Sequence, residues 1–431
     1  MDKNLKDKTN WLGGLQWFFF IFANIVIIPL TIGEAFHLSQ DKVVATLQYS
    51  FVITGIACLF QAFFGHRRAI MEGQSGLWWG IILTLVTTSA AQGISLQELG
   101  GSLAVGIFIS SIITMLIGLT GLGPMIAKWF NSGVMGTFML LFGFTLINIF
   151  LKGMLGLPFG NQTSKIDLPI ALLSFIIAII VIIFNIKASA NIRSYGLLIG
   201  IIIGWIAFVL IFGTNKNMGS ASFSFTWFPL GHPTFNLGII TTAVITGLLN
   251  LANTFGALKG TDDMYEKETT RKQYRHSITI SGFFTGIAGF LGVVPYAPFV
   301  SSIGFLKQTQ IITKLPFIIG SIIFLLIGLI PPIGEFFSTI PLSIGSAVLF
   351  VAYLQLLNSS FDFFKKLKFN SLNIYRAAIP VFVGTVVMIL PPETFSSIPS
   401  IIRPILSNGL LVGIILSLLL ENIIQWDNIK E

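Results

Sequence analysis

The chain has 431 residues, of which 54% are apolar and only 10% charged. A soluble domain carries about 25% charged residues, so this chain lacks the polar surface to cover itself in water, which excludes a soluble enzyme or a nucleic-acid-binding domain. Its formal charge of +8 has a topological explanation, given below, that needs no acidic partner.

A membrane-crossing helix needs roughly 20 mostly apolar residues. Apolar stretches bounded by Gly, Pro, Asn and charges predict spans over 11–33, 43–64, 69–91, 99–121, 132–153, 168–186 and 195–213 in the first half. The second half repeats the count, with spans over 235–258, 276–294, 295–312, 315–333, 339–357, 375–392 and 405–425. The boundary between spans 9 and 10 rests on Pro295 and Pro298, which interrupt a continuous apolar run. The lysine-bearing start of the chain leads into the first span without a small-residue cleavage site, so that span reads as a retained helix. With the N-terminus inside, and each Lys or Arg near a span end counted with its nearer connection, 20 of the 25 fall on the inner side and 5 on the outer. This positive-inside bias predicts an all-α polytopic protein of the cell membrane with 14 transmembrane spans and both termini cytoplasmic. Cys58 is the single cysteine, so no intrachain disulfide forms. No metal-ligand spacing occurs, and no cofactor is expected.

The two halves repeat each other. Gly196-Leu-Leu-Ile-Gly200-Ile-Ile in span 7 returns 213 residues later as Gly409-Leu-Leu-Val-Gly413-Ile-Ile in span 14. Gly136-Thr137 in span 5 returns 209 residues later as Gly345-Ser346 in span 12. Seven spans per half is an odd number, so the second half must be inverted in the membrane. Such a 7+7 inverted repeat is a hallmark of secondary transporters, whose sites lie near the midplane where helices are interrupted. Interruptions occupy the third span of each half. One is Met71-Glu72-Gly73-Gln74-Ser75-Gly76, and the other runs from Pro295 through Pro298 to Ser301, Ser302 and Gly304. Each is a short non-helical piece feeding a helix, whose first N–H groups are free to meet a polar ligand.

At these residues the chain resembles the nucleobase/ascorbate transporter family, which includes uracil and xanthine permeases. Gln16-Trp17 with Phe22-Ala23-Asn24 and Ile28-Pro29 resembles the family's Gln-His…Phe-Gly-Ala…Val-Pro pattern. Glu72-Gly73-Gln74-Ser75 resembles its Gln-Gly-x-Ser, and Gly133 to Thr137, Pro341 to Gly345 and Ser407 to Gly409 are similar to further family positions. The signature (Gln/Glu/Pro)-Asn-x-Gly-x4-Thr falls on Ser301, Ser302, Ile303, Gly304 and Thr309, where only the glycine and the threonine match. The family's span-8 glutamate falls on Asn253, and a position often histidine in uracil permeases falls on Ala257.

The resemblance implies a uracil-permease-like fold with short strands in spans 3 and 10. It implies a core domain (1–125 and 231–335) and a gate domain (126–230 and 336–431), with a homodimer as the assembly. The implied function is import of a nucleobase by elevator-type movement in the lipid bilayer, coupled to H⁺ or Na⁺. For the substrate it points to Gln16, Ser75, Gly76, Asn253, Ala257, Val300, Ser301, Ser302 and Gly304. Asparagine and serine replace the family's two carboxylates, which leaves Glu72 as the coupling candidate, because an ionisable residue at membrane depth costs about 2.5–3.5 kcal/mol and is functional by default. The alternative for Glu72 is a solvated or salt-bridged position beside Arg67 and Arg68. The alternatives for the whole chain are a same-fold transporter of a small anion and an uncoupled facilitator.

Overall fold

The structure is a computed structural model that describes residues 8–157, 165–193, 195–213 and 225–426. The chain ends that were expected on the cytoplasmic side, 1–7 and 427–431, lie outside the described residues.

Continuous apolar sequence becomes helix throughout. The first half runs α1 (Lys8–Ile25), α2 (Ile27–Ala35), α3 (Gln40–Phe63), β1 (Glu72–Gln74), α4 (Gly76–Ala91) and α5 (Leu96–Thr120). It continues with α6 (Gly123–Ala127), α7 (Ser132–Met154), α8 (Leu168–Lys187), α9 (Ala190–Arg193) and α10 (Gly196–Phe212). The second half opens with α11 (Leu237–Lys259), α12 (Arg271–Leu291), β2 (Tyr296–Pro298), α13 (Ser302–Thr309), α14 (Lys314–Gly328) and α15 (Pro331–Ser338). It closes with α16 (Leu342–Tyr353), α17 (Gln355–Phe364), α18 (Tyr375–Ile389), α19 (Arg403–Leu406) and α20 (Gly409–Ile423). Each of the fourteen predicted segments contains a helix. Among the described residues, seven helical stretches are long and apolar enough to cross a bilayer, and the bent pair α14–α15 makes an eighth. The apolar helices α4, α10, α18 and α20 are shorter.

Besides the interruptions in spans 3 and 10, two predicted spans are not single regular helices. The segment 315–333 turns by 89° between α14 and α15, where Pro331 and Pro332 remove two N–H donors and push the preceding residue out of helical geometry. The segment 339–357 divides at Leu354 into α16 and α17.

The strands follow from the same logic. Pro295 and Pro298 forbid a helix in span 10, and a stretch without helical bonds inside a membrane must find its partners in protein. β1 supplies them by pairing antiparallel with β2 in the register Glu72–Pro298, Gly73–Ala297 and Gln74–Tyr296. Ser75 N–H donates to Pro295 O at 2.8 Å and Phe299 N–H to Met71 O at 2.8 Å, extending the pairing at both ends.

The helices pack as two groups. In one, α5 lies against α11 and α12, while α14 lies against α1 and α3. In the other, α7 lies against α16, α17 and α20, α8 against α10 and α16, and α18 against α20. The repeated glycines do the same job in both halves. Gly200 lets α10 approach Val181 on α8, and a methyl at Gly409 on α20 would collide with the Gly384 carbonyl of α18.

Candidate functional site

The interrupted segments of spans 3 and 10 meet at the β1–β2 crossing, and α4 and α13 follow the two strands, each starting within a few residues of it. A polar set stands beside the crossing. Ser75 Oγ donates to Asn250 Oδ1 at 2.6 Å. Asn253 Nδ2 donates to Asn250 Oδ1 at 2.9 Å and to Ser75 Oγ at 3.4 Å. Asn250 Nδ2 donates to Tyr296 O at 3.0 Å. One asparagine therefore braces the strand and the other keeps its Oδ1 available. The sequence did not single out Asn250, yet its spacing carried the signal, because residues three apart share a helix face.

An apolar wall on α7 faces this set. Phe138 and Phe142 stack at 5.6 Å with their planes 4° apart. A Cβ on Gly76 would lie 2.6 Å from Phe142 Cζ, and one on Gly256 would lie 3.3 Å from Met135 Cε and 3.4 Å from Val300. Both glycines let α7 pack closely against the strand junction and α11, and this seam between wall and strands is the candidate slot. The other predicted residues distribute around it. Ser301, the N-cap of α13, and Gly304 within it are exposed, Gly304 with nothing within 4 Å of a Cβ position, and Val300 is half-buried. Ser302 is fully buried and its Oγ accepts from Met71 N–H at 3.1 Å, so it pins the strand rather than meeting solvent. Ala257 lies one turn past Asn253 in a small apolar cluster with Ile70 and Leu258, against which Val300 packs, and the neighbouring Gly256 also faces Val300. Gln16 is half-buried beside Trp17, whose ring meets Phe305 at 4.4 Å.

Glu72 points away from the slot, into the space between β1, α3 and α12. It is 0% exposed. Gln61 Nε2 donates to its Oε2 at 3.0 Å and also reaches Ser281 Oγ at 3.2 Å, while Oε1 has no partner. The expected alternative, a salt bridge to the upstream arginines, does not form. Arg68 turns to Asp262 at 2.8 Å instead. Ser281 also lines a small cavity of about 10 Å³, with Trp78, Ser110, Asn250 and Tyr296 on its wall. That is room for one water, and Trp78 Nε1 and Ser110 Oγ are unpaired there. A polar path thus runs from Glu72 through Gln61, Ser281 and the cavity to Asn250. Trp79 packs on Phe150 and donates to Thr31, so it is not part of the slot. Lys307 is exposed.

The profile of the Permease family (Xan_ur_permease) matches residues 8–393. A putative purine permease, YwdJ of Bacillus subtilis (strain 168), is 27% identical over 436 residues, covering 97% of each chain. The xanthine permease of the same organism is 24% identical over 414 residues, covering 93% of this chain and 90% of its own. Among solved structures, the transmembrane domain of the cyanobacterial bicarbonate transporter BicA superposes with a TM-score of 0.64 at 17% identity, covering 97% of this chain and 98% of that one. The last likeness is one of fold.

Proposed function

The chain belongs to the permease family whose profile it matches, a family of transporters and not of enzymes, and from that premise we propose that it is a secondary transporter carrying a purine-type nucleobase across the cell membrane. The observation that carries the cargo is the Asn250–Asn253–Ser75 edge set beside the ring-lined wall of α7. A planar base needs hydrogen-bond partners at its rim and an apolar slot for its faces. The Asn253 amide nitrogen is held by Asn250 and Ser75, which leaves its Oδ1 to accept from a ring N–H of the base without charge.

The two packing groups support fourteen spans arranged as a 7+7 inverted repeat, with the strands in the core (1–125, 231–335) and the ring wall in the gate (126–230, 336–431). Transport is then a displacement of one rigid group against the other around the slot. The expected homodimer is part of the same proposal, and crosslinking in the bilayer tests it.

For coupling we assign the proton to Glu72. A buried carboxylate without a cation is costly, and a proton on the unpaired Oε1 neutralises it. The path through Gln61, Ser281 and the cavity joins that proton to Asn250, so Glu72 acts from behind the substrate rather than by touching it.

The test is uptake of radiolabelled xanthine, hypoxanthine, guanine, uric acid and uracil into proteoliposomes, with and without an inward proton gradient or a sodium gradient. Saturable accumulation of a base only under the proton gradient is expected. Glu72→Gln is expected to abolish accumulation while equilibrating exchange persists. Gradient-driven accumulation by that variant moves the coupling away from Glu72, and mere equilibration by the unaltered protein makes it a facilitator. Folded protein that transports bicarbonate or sulfate and no base overturns the cargo assignment.

A further inference from the structure

A pocket of about 360 Å³ opens between the 64–71 segment and the start of α12, and it lies outside the slot. Arg67, Arg68, Lys267, Lys272 and His276 line it, together with Gln273 among its polar neighbours, and no carboxylate does. We propose that it binds the phosphate group of an anionic phospholipid, an inference independent of the cargo.

Three observations carry it. First, the positive charge is concentrated and largely uncompensated. Arg68 is engaged by Asp262, whereas Arg67, Lys267 and Lys272 are exposed and none of them forms an ion pair among the described residues. Asp263, Glu266 and Glu268 belong to the same loop but do not line the pocket. Second, the floor is fixed. Arg68 Nη1 donates to Leu258 O at 2.7 Å, and Gln273 Nε2 donates to His66 O at 2.7 Å. Arg67 is held at φ 61°, a left-handed conformation that glycine adopts without strain, so an arginine is kept where the backbone would favour another residue. Third, the pocket abuts an exposed aromatic wall. Phe60, Phe63 and Phe64 at the end of α3 are 42%, 49% and 58% exposed, and Phe283 on α12 is 51% exposed. The His276 ring nitrogen Nδ1 lies 2.9 Å from Phe64 O, which joins wall to pocket.

A cationic cavity beside an exposed apolar wall complements a molecule with a phosphate at one end and acyl chains at the other. Inorganic phosphate would use only the first half of that surface.

The experiment compares purified full-length protein in detergent with added phosphatidylglycerol, phosphatidylcholine or inorganic phosphate, by thermal midpoint and by lipid retention in native mass spectrometry. Phosphatidylglycerol is expected to be retained and to raise the midpoint by several degrees, and the other two are not. The double variant Arg67→Gly with Lys272→Gln removes two charges and relieves the left-handed arginine. It should keep its midpoint in phosphatidylcholine and lose the response to phosphatidylglycerol. Full response in that variant, or equal response to phosphatidylcholine, overturns the proposal. A shift reproduced by inorganic phosphate alone also overturns it and assigns the pocket to a free anion.

Discussion

Asn253 and Ser301 stand where the family resemblance places carboxylates. What they lose is charge; they keep the capacity to donate and accept hydrogen bonds. Asn253→Ala removes the available Oδ1 acceptor from the slot edge, together with the Nδ2 bonds to Asn250 and Ser75. Losing one or two substrate hydrogen bonds costs about 1.5–3 kcal/mol, so the apparent affinity for the transported base should fall about 10- to 100-fold, read as a shift in the KM of uptake, while the thermal midpoint changes little. His66 poses the opposite case, a group with structural and not substrate duties. It is fully buried in the 64–71 segment, and its Nδ1 accepts from Arg68 N–H at 3.1 Å. Burial, reinforced by the Arg68 charge, pulls its imidazole from 6.5 down to about 3. The folded form therefore refuses a proton that the unfolded form accepts, so the neutral imidazole's contribution is intact above pH 6.5 and is lost as pH falls towards 3. The free energy of unfolding measured from pH 7 to pH 5 should fall by about 1 kcal/mol per pH unit, with the thermal midpoint falling in step. In His66→Asn, whose carbonyl keeps the acceptor, that slope should flatten.

At the scale of elements, the gate helices are clasped by a buried ion pair. Arg376 on α18 donates through Nε and Nη2 to the two carboxylate oxygens of Glu421 on α20, each at 2.6 Å. Asn131, the N-cap of α7, donates to the same carboxylate at 2.8 Å. Three helices from distant parts of the chain thus share one charge network. Glu421 reads from the sequence as an interfacial residue near the end of span 14, whereas the structure buries it. Removing one partner of a buried pair leaves the other uncompensated, at about 3–5 kcal/mol. Glu421→Gln should accordingly lower the thermal midpoint sharply. The double variant Arg376→Met with Glu421→Leu should recover much of the loss, because the network specifies packing more than it stabilises.

At the scale of the whole molecule, movement of one helix group against the other requires that contacts between them slide. α2 meets α16 where Gly345 faces the Ile27 side chain, and the proposed division into core and gate puts the two helices on opposite sides. A disulfide between Ile27→Cys and Gly345→Cys should arrest uptake in oxidised proteoliposomes, and reductant should restore it. Uptake that continues with the crosslink formed would show that the groups do not need to move apart at that seam. Cys58 is buried and does not compete for the bond.

Much of this architecture is legible in windows of about 20 residues, because a bilayer selects each apolar stretch separately. The helices, the interruption at Pro295 and Pro298, the glycines that let α10 and α20 pack and the place of Ser75 at the break follow from such local pattern, whereas Asn253 was pointed to by the family resemblance. Other features depend on partners far away in the chain. Arg68 finds Asp262 across 194 residues and Ser75 finds Asn250 across 175, and no local pattern names those partners. Which way Glu72 faces is decided by the register of β1 against β2, since successive strand residues point to opposite sides. Chain-local hydrophobicity and helix breakers therefore determined the elements and where they fail. Only tertiary packing decided that an acid beside two arginines would instead lie behind the slot with Gln61, and that an α7 ring ladder would form its wall.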